Sequence, residues 1–281
     1  MVFESGLDSY GSRSWSAVHD AIAATTRACA YSRAGIMWSD AATRPFSSTN
    51  VAQDLHDALI AADESAPYVM VGHSLGGPYL LAYTARYSDE VAGLVFVDAS
   101  HPGQIARLRA AAGKQIDQPI GAASFGAAIA WTGLVRVLNL SEAPPTAPVV
   151  IGPPSAAWFP TSLAALVQEM RGIDATFAAV VAHHQLGGRP LVVLSRSRKN
   201  PPEALQQMQV SVAQGERMDA AWSAMQDDEA AWSTHSRHTV VADASHYIQF
   251  DQPQAVIDAT RDVVAQVRQG ATRPKTLPPR E

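Results

Sequence analysis

Apolar runs of strand length occur at six places along the chain: MVFE, RACAYS, PYVMVG, VAGLVFVD, PLVVLS and HTVVA. Between them lie segments in which apolar residues recur at helical spacing, as in VAQDLHDALIAAD, and this spacing predicts helices. VAGLVFVD is apolar almost throughout, which predicts a strand buried on both faces. The alternation predicts an α/β protein whose mostly parallel, doubly wound sheet is covered by helices on both sides.

The alternation stops between residues 101 and 188, where only helical patterns such as SLAALVQEM and DATFAAVVAHH occur. We predict that this segment is a helical lid, inserted into an α/β core formed by residues 1–100 and 189–269. The last segment, 270–281, is rich in proline and charge, which predicts a disordered tail.

The composition argues against some classes of partner. The chain has 281 residues, of which 47% are hydrophobic, and this is enough for one large core with an insertion. A net charge of −5 gives no reason to expect nucleic acid or an anionic membrane surface as a partner. The single cysteine, Cys29, cannot form an intrachain disulfide and fits a reducing compartment, so we expect a cytoplasmic protein. The oligomeric state is left open.

The sequence predicts no membrane span, because its longest apolar candidate, AASFGAAIAWTGLVRVL, is interrupted by Arg136. No signal peptide precedes the first predicted strand. That strand starts directly after Met1, so either the fold begins there or upstream residues are missing. An export signal on such residues stays open.

The segment VMVGHSLGGPYLLA contains the pattern G-x-S-x-G as Gly72-His73-Ser74-Leu75-Gly76. The pattern alone is weak evidence, because a chain of this length can contain it by chance. Its context strengthens it, since Ser74 lies between the predicted strand PYVMV and the predicted helix PYLLAYTARY. Such a turn lifts the hydroxyl above the sheet edge and points helix N–H groups at developing negative charge. We predict that Ser74 is a nucleophile; a serine in a structural glycine turn is the alternative.

Together with three further segments, this motif resembles the α/β-hydrolase family over most of the chain. VFESGL is similar to the family's first active-site strand and oxyanion loop, and YSRAGIMWSD resembles its YDRxGxGxS loop, from which Ser32 and Met37 depart. SHYIQFDQPQAVIDA resembles the GHxxxxExPxxV segment that carries the catalytic histidine. The resemblance implies the α/β-hydrolase fold. A serine at the elbow argues against haloalkane dehalogenase and epoxide hydrolase activity, since those relatives use aspartate there.

Of the nine histidines, His246 is the one that pattern and resemblance both place where a general base must stand. It follows the last predicted strand in the loop DASHYIQ, and the carboxyl ends of parallel strands meet at one edge of the sheet. A histidine that only stabilises the loop is the alternative. His183 and His184 have no carboxylate or cysteine at ligand spacing, so we predict neither a metal site nor a cofactor.

The carboxylate that orients the base is the hardest residue to assign. Most α/β-hydrolases carry it after the strand that follows the lid. Here that strand, PLVVLS, runs into a turn with Arg196, Arg198 and Lys199, and the first carboxylate is Glu203. These cations would compete for a carboxylate's charge. Asp98 ends the buried strand that follows the elbow strand, a position that some haloalkane dehalogenases of this fold use. We predict Asp98 as the acid, with Glu203 as runner-up and another carboxylate as the remaining alternative.

Attack on a carbonyl places negative charge on its oxygen, which backbone N–H groups stabilise. One such group belongs to Leu75, the residue after the nucleophile, and the resemblance implies Leu7 for the other. We therefore predict a serine hydrolase that cleaves carboxylic esters of small to medium apolar substrates through an acyl-enzyme. Amide or lactone hydrolysis, acyl transfer and cofactor-free peroxidase chemistry are alternatives on the same residues. A non-catalytic ligand-binding receptor is the alternative of another class.

Overall fold

The computed structural model describes residues 1–115, 120–134 and 152–272. Within them, six parallel strands form one sheet in the order β2-β1-β3-β4-β5-β6. The strands are β1 (Val2–Glu4), β2 (Cys29–Ala30), β3 (Tyr68–His73), β4 (Val91–Val97), β5 (Leu191–Arg196) and β6 (Ser236–Val241). The parallel α/β sheet that the alternation predicts is confirmed.

Helices connect the strands. They are α1 (His19–Ala23), α2 (Ser48–Ala61), α3 (Gly76–Arg86), α4 (Gln104–Ala112), α5 (Ile120–Ile129), α6 (Gly152–Val180), α7 (Pro202–Gln207), α8 (Val212–Ala230), α9 (Ile248–Asp251) and α10 (Pro253–Thr272). Short 3₁₀ turns span Gly11–Trp15, Ser88–Glu90 and Ala130–Thr132. Local sequence sets several helix starts. The Ser47 side chain accepts the Asn50 N–H at the start of α2, and Ser211 with Gln214 forms a capping box at the start of α8.

Side chains of the central strands alternate between two apolar layers, one on each face of the sheet. The layer against α2 and α3 includes Leu55, Met70, Leu80, Leu94 and Val193. The layer against α10 includes Val71, Val95, Val192, Val256 and Val263. The central strands are therefore buried on both faces, as the apolar run VAGLVFVD predicts.

Between β4 and β5 the described residues form helices α4, α5 and α6 and a 3₁₀ turn. Helix α6 is a single helix of 29 residues with Pro160 inside it, where the sequence pattern showed two shorter helical stretches. It packs against α3 and α5, and α4 packs against α8. The assignment of 101–188 as a lid stays a prediction, and part of that segment lies outside the described residues.

At the C-terminus the sequence predicts a disordered tail at 270–281. Helix α10 continues through Thr272, so the first residues of that tail are helical. Residues 273–281 lie outside the described residues. Among the helices that the structure describes, none combines the length and the apolar character that crossing a membrane requires.

Because the strands are parallel, the residues that follow them meet at the carboxyl edge of the sheet. Leu7 follows β1, Ser74 follows β3, Asp98 follows β4 and His246 follows β6. Arg196 is the last residue of β5, next to these loops. The fold thus brings Leu7, Ser74, Asp98 and His246 to one edge of the sheet.

Candidate active site

The turn between β3 and α3 is a strained elbow. Ser74 adopts a left-handed backbone with φ of +51°, which is uncommon for a residue other than glycine. A Cβ atom at Gly76 would lie 2.4 Å from the carbonyl oxygen of Glu4, and one at Gly72 would lie 2.9 Å from the Leu80 side chain. The two glycines of G-x-S-x-G are therefore required because neighbouring atoms leave no room for a side chain.

Ser74, His246 and Asp98 form a continuous chain of hydrogen bonds. The Ser74 Oγ lies 2.9 Å from His246 Nε2, and His246 Nδ1 lies 2.6 Å from Asp98 Oδ2. An imidazole that donates from Nδ1 to the carboxylate leaves Nε2 free to accept the serine proton. The side chain of His246 is 33% exposed and that of Asp98 is fully buried. Ser74 and His246 are thus both partly exposed, whereas the Asp98 carboxylate is shielded from water.

Asp98 accepts hydrogen bonds from three residues. Besides His246, these are the indole N–H of Trp222 at 2.9 Å and the backbone N–H and guanidinium of Arg196, each at 3.1 Å. Burial alone raises the pKa of the Asp98 carboxyl, but the His246 hydrogen bond, the charges of His246 and Arg196 and the Trp222 bond outweigh it. The net effect lowers the pKa of Asp98 below its usual value, so the carboxylate is ionised at neutral pH.

Neighbouring rings and a backbone hydrogen bond hold the His246 loop. The buried His73 Nε2 donates to the His246 carbonyl oxygen at 2.9 Å, and the ring centroids of the two histidines lie 4.7 Å apart. Burial, followed by the His246 charge, lowers the pKa of His73 to about 3, so His73 stays neutral. Trp222 packs edge-on against the His246 ring at 6.0 Å. His73 therefore supports the base from within the elbow.

The loop after β1 packs directly on Ser74. A Cβ atom at Gly6 would lie 2.8 Å from the Ser74 Cβ. The Gly6 carbonyl accepts a hydrogen bond from the Arg33 guanidinium at 2.7 Å. Since a trans peptide points its C=O and N–H in opposite directions, the Leu7 N–H is directed away from Arg33. Within the described part of the chain, neither the Leu7 nor the Leu75 N–H has a protein acceptor.

Arg33 links this loop to helix α6 through buried contacts. Its guanidinium donates two hydrogen bonds to the Glu169 carboxylate of α6, with lengths of 2.8 and 2.7 Å. It donates a third, of 2.7 Å, to the Glu4 carboxylate. It also donates to the Ser5 carbonyl at 2.8 Å. One cation thus bridges two buried carboxyl groups and fixes the loop that carries Leu7, while burial raises the pKa of Glu4. The resemblance identified the segment around Arg33, but Glu169 had no signal in the sequence.

Glu203, the runner-up acid, lies exposed in α7 and makes no hydrogen bond to His246 in the structure. The basic turn after β5 was expected to compete for the charge of an acid placed there, and Arg196 at the end of β5 binds Asp98. Arg196 and the His246 imidazole therefore share the Asp98 carboxylate, as was expected of the basic turn and Glu203. No group of three or more metal-ligating side chains occurs among the described residues.

A second Ser–His–Asp chain of hydrogen bonds joins strands β5 and β6 to helix α8. The Ser195 Oγ is 2.8 Å from His238 Nε2, and His238 Nδ1 is 2.8 Å from Asp227 Oδ1. Ser195 belongs to β5, His238 to β6 and Asp227 to α8. Ser195 is 3% exposed, whereas the Asp227 side chain is 72% exposed.

Comparison with known proteins places the chain in a family. A model of the alpha/beta hydrolase family matches residues 2–259. The chain belongs to the alpha/beta hydrolase family. Among curated proteins, an uncharacterized protein of Schizosaccharomyces pombe is 47% identical over 74 residues, which are 26% of this chain and 14% of that protein. The chain spans between 12% and 14% of the length of the curated relatives it matches.

Solved hydrolase structures superpose on nearly the whole chain. A thermophilic esterase from Thermogutta terrifontis is 19% identical with a TM-score of 0.61, over 95% of this chain and 89% of that one. Est816, an N-acyl homoserine lactone degrading enzyme, is 17% identical with a TM-score of 0.60, over 93% and 91%. At these identities the likeness concerns the fold, and substrate and mechanism have to be argued from the residues.

Proposed function

We propose that this alpha/beta hydrolase is a serine hydrolase that cleaves carboxylic esters, with Ser74 as nucleophile, His246 as general base and Asp98 as orienting acid. The observation that carries the proposal is the hydrogen-bond chain of 2.9 and 2.6 Å from Ser74 through His246 to Asp98. The strained elbow supports it, because left-handed backbone at a serine is retained where the geometry serves a function.

In the first step the Ser74 Oγ attacks the ester carbonyl carbon while its proton passes to His246 Nε2. Asp98 accepts the Nδ1–H and stabilises the imidazolium that forms. The imidazolium then returns the proton to the alcohol oxygen as the C–O bond breaks, which leaves an acyl-enzyme. A water molecule, deprotonated by the same imidazole, releases the acid and restores Ser74.

The oxyanion of each tetrahedral intermediate is stabilised by the N–H groups of Leu7 and Leu75 in this proposal. Among the described residues neither N–H has a protein acceptor, which supports the role, since an N–H that is already bonded could not bind the oxyanion. Ser74 immediately precedes the first turn of α3, whose N-terminal end favours negative charge. Arg33 would keep the Leu7 peptide in place through its bond to the Gly6 carbonyl.

The surroundings of these two residues favour an apolar substrate group. The side chains of Leu7 and Leu75 belong to one apolar cluster with Ile173 and Phe177 of α6. A polar or charged acyl group would lose hydration there without gaining hydrogen bonds. We therefore propose small to medium apolar esters as the substrate class.

A fluorophosphonate probe tests the proposal directly. We expect one equivalent to attach to the intact protein and to map to the peptide that contains Ser74. A His246→Gln variant should react far more slowly, because the hydroxyl has lost its base. Absence of labelling at Ser74 in folded protein, together with no turnover of any activated ester, would favour the ligand-binding receptor instead.

Chromogenic esters of graded acyl length then define the substrate. We expect kcat/KM to rise with chain length until the apolar site is filled and to fall for charged acyl groups. Equal rates for charged and apolar acyl groups of one size would contradict the proposed substrate class.

A further inference from the structure

Arg196 binds the same carboxylate oxygen as the histidine. Its guanidinium Nη1 lies 3.1 Å from Asp98 Oδ2, which also accepts the His246 Nδ1–H at 2.6 Å. Its backbone N–H donates to the other oxygen, Oδ1, at 3.1 Å. Asp98 is thus shared between two cationic partners whenever His246 is protonated.

The guanidinium has two further neighbours. Its centre lies 4.7 Å from the Trp222 ring, and the Trp222 indole N–H donates to Asp98 Oδ1 at 2.9 Å. The Asp219 carboxylate lies 3.7 Å from Arg196 Nη2, and the Arg196 side chain is only 14% exposed. Stacking on an indole and partial burial fix a guanidinium better than a solvated surface contact does.

Burial shifts the pKa of three other ionisable groups near Asp98 and His246 towards the neutral form. His73, packed from β3, has its pKa lowered to about 3 by burial and by the His246 charge. Glu229 of α8 has its pKa raised well above its usual value by burial and then by the charges of Asp98 and Asp228. Burial also raises the pKa of Tyr247, whose ring lies against His246. Among the described residues, Arg196 is the permanent cation in contact with Asp98.

We propose that Arg196 is a positioning residue that holds the Asp98 carboxylate and weakens the stabilisation that Asp98 gives to the His246 imidazolium. A carboxylate that already neutralises a guanidinium attracts a second cation less strongly. Loss of the Arg196 charge should therefore strengthen the pairing between Asp98 and the His246 imidazolium. Only the kinetic readout of this inference rests on the proposed ester hydrolysis.

The test compares pH profiles of kcat/KM for the wild type, Arg196→Gln and Arg196→Lys. We expect Arg196→Gln, which keeps a donor but loses the charge, to move the acid limb to higher pH by about one unit. Arg196→Lys keeps the charge, so its acid limb should stay near that of the wild type. Arg198→Gln is the matched control, since this neighbouring arginine is exposed and its loss should leave the limb unchanged.

A second readout does not depend on turnover. In protein labelled with ¹³C-histidine, the His246 signal is assigned by its loss in His246→Asn, and its titration midpoint is followed by NMR. The midpoint should move upward in Arg196→Gln and not in Arg198→Gln. If Arg196→Gln does not fold, Arg196→Met removes the same charge and replaces it in the NMR titration.

Equal His246 midpoints in the wild type and the uncharged Arg196 variants would overturn the inference, and so would an equal shift in Arg198→Gln. An Arg196→Lys profile that follows Arg196→Gln would also overturn it, because the charge would then have no effect. A protein that turns over no ester but shows the expected NMR shift would refute the proposed function and leave the role of Arg196 supported.

Discussion

The two Ser–His–Asp chains in this protein have nearly the same hydrogen-bond lengths and very different surroundings. Serine to imidazole is 2.9 Å in the Ser74 chain and 2.8 Å in the Ser195 chain, and imidazole to carboxylate is 2.6 and 2.8 Å. Distances alone would assign the same chemistry to both. The backbone, the exposure of the serine and the burial of the acid separate them.

The backbone differs first. Ser74 occupies a left-handed turn at the start of a helix, between two glycines that neighbouring atoms require. Ser195 lies inside a regular strand and is 3% exposed, so an ester carbonyl could not approach its hydroxyl. A nucleophile needs both an open path and a stabiliser for the oxyanion, and the proposed roles of Ser74, Leu7 and Leu75 meet both needs at the elbow.

The acids differ as much as the serines. Asp98 is fully buried and accepts bonds from His246, Trp222 and Arg196, which fix its orientation. Asp227 is 72% exposed, and an ion pair in contact with water orients an imidazole weakly. The Ser195 chain is therefore best described as a polar contact that joins β5, β6 and α8.

Replacing each serine by alanine should distinguish the Ser74 and Ser195 hydrogen-bond chains most sharply, and of all the tests it should give the largest change in kcat/KM. We expect Ser74→Ala to lower kcat/KM on a good ester by about 10⁴–10⁶-fold, because the nucleophile is lost. Ser195→Ala should change it less than about threefold. Steady-state hydrolysis of a chromogenic ester measures both. High activity in a folded Ser74→Ala variant would mean that another residue attacks.

The two acids are the next test. Asp98→Asn should lower kcat by about 10²–10⁴-fold, since an amide can favour the wrong imidazole tautomer. Asp227→Asn and Glu203→Gln should each change kcat less than about twofold, because both carboxylates are exposed. If Glu203→Gln were the damaging change, the acid would lie after β5 and Asp98 would only cap its strand.

Helix α8 carries the exposed Asp227 and also Glu229, which is fully buried with neither carboxylate oxygen bonded among the described residues. Its pKa is raised, so the unfolded chain releases this proton from about pH 4.3 upward while the folded protein keeps it. Relative to Glu229→Gln, the wild type should lose about 1.4 kcal/mol of unfolding free energy per pH unit in that window.

Urea denaturation of the wild type and Glu229→Gln at pH 4, 6 and 8 measures this difference. The variant should become the more stable protein as pH rises. A difference that does not change with pH would show that Glu229 is ionised in the folded state.

The smallest effect concerns backbone strain at the two serines. The unfolding free energy of Ser74→Gly should exceed that of Ser74→Ala by about 1 kcal/mol, because glycine adopts positive φ without strain. In β5 the alanine variant should be the more stable one: the unfolding free energy of Ser195→Ala should exceed that of Ser195→Gly by about 0.5–1 kcal/mol, because glycine in a strand costs conformational entropy. Urea denaturation of the four variants tests this, and the same order at both positions would argue against strain at Ser74.

The sequence by itself was sufficient for features that depend on neighbouring residues. Strand-to-helix alternation predicts the parallel sheet, because each element needs its own apolar period. The elbow is equally local, since glycines two positions before and after Ser74, a preceding apolar run and a following helix lie in one short segment. His246 follows the last strand, and because the strands are parallel this places it at the same sheet edge as Ser74. Its catalytic role stays a prediction.

Only the tertiary structure decided what surrounds Asp98. Trp222 and Arg196 are 124 and 98 positions away in sequence, and no local pattern marks either as a partner of that carboxylate. The same holds for Glu169, 136 positions from the Arg33 that it binds. Nor does the sequence distinguish the Ser195 chain from the Ser74 chain by residue type. Burial, backbone strain and the direction of an N–H depend on how distant segments pack, and those properties separate a reactive serine from a structural one.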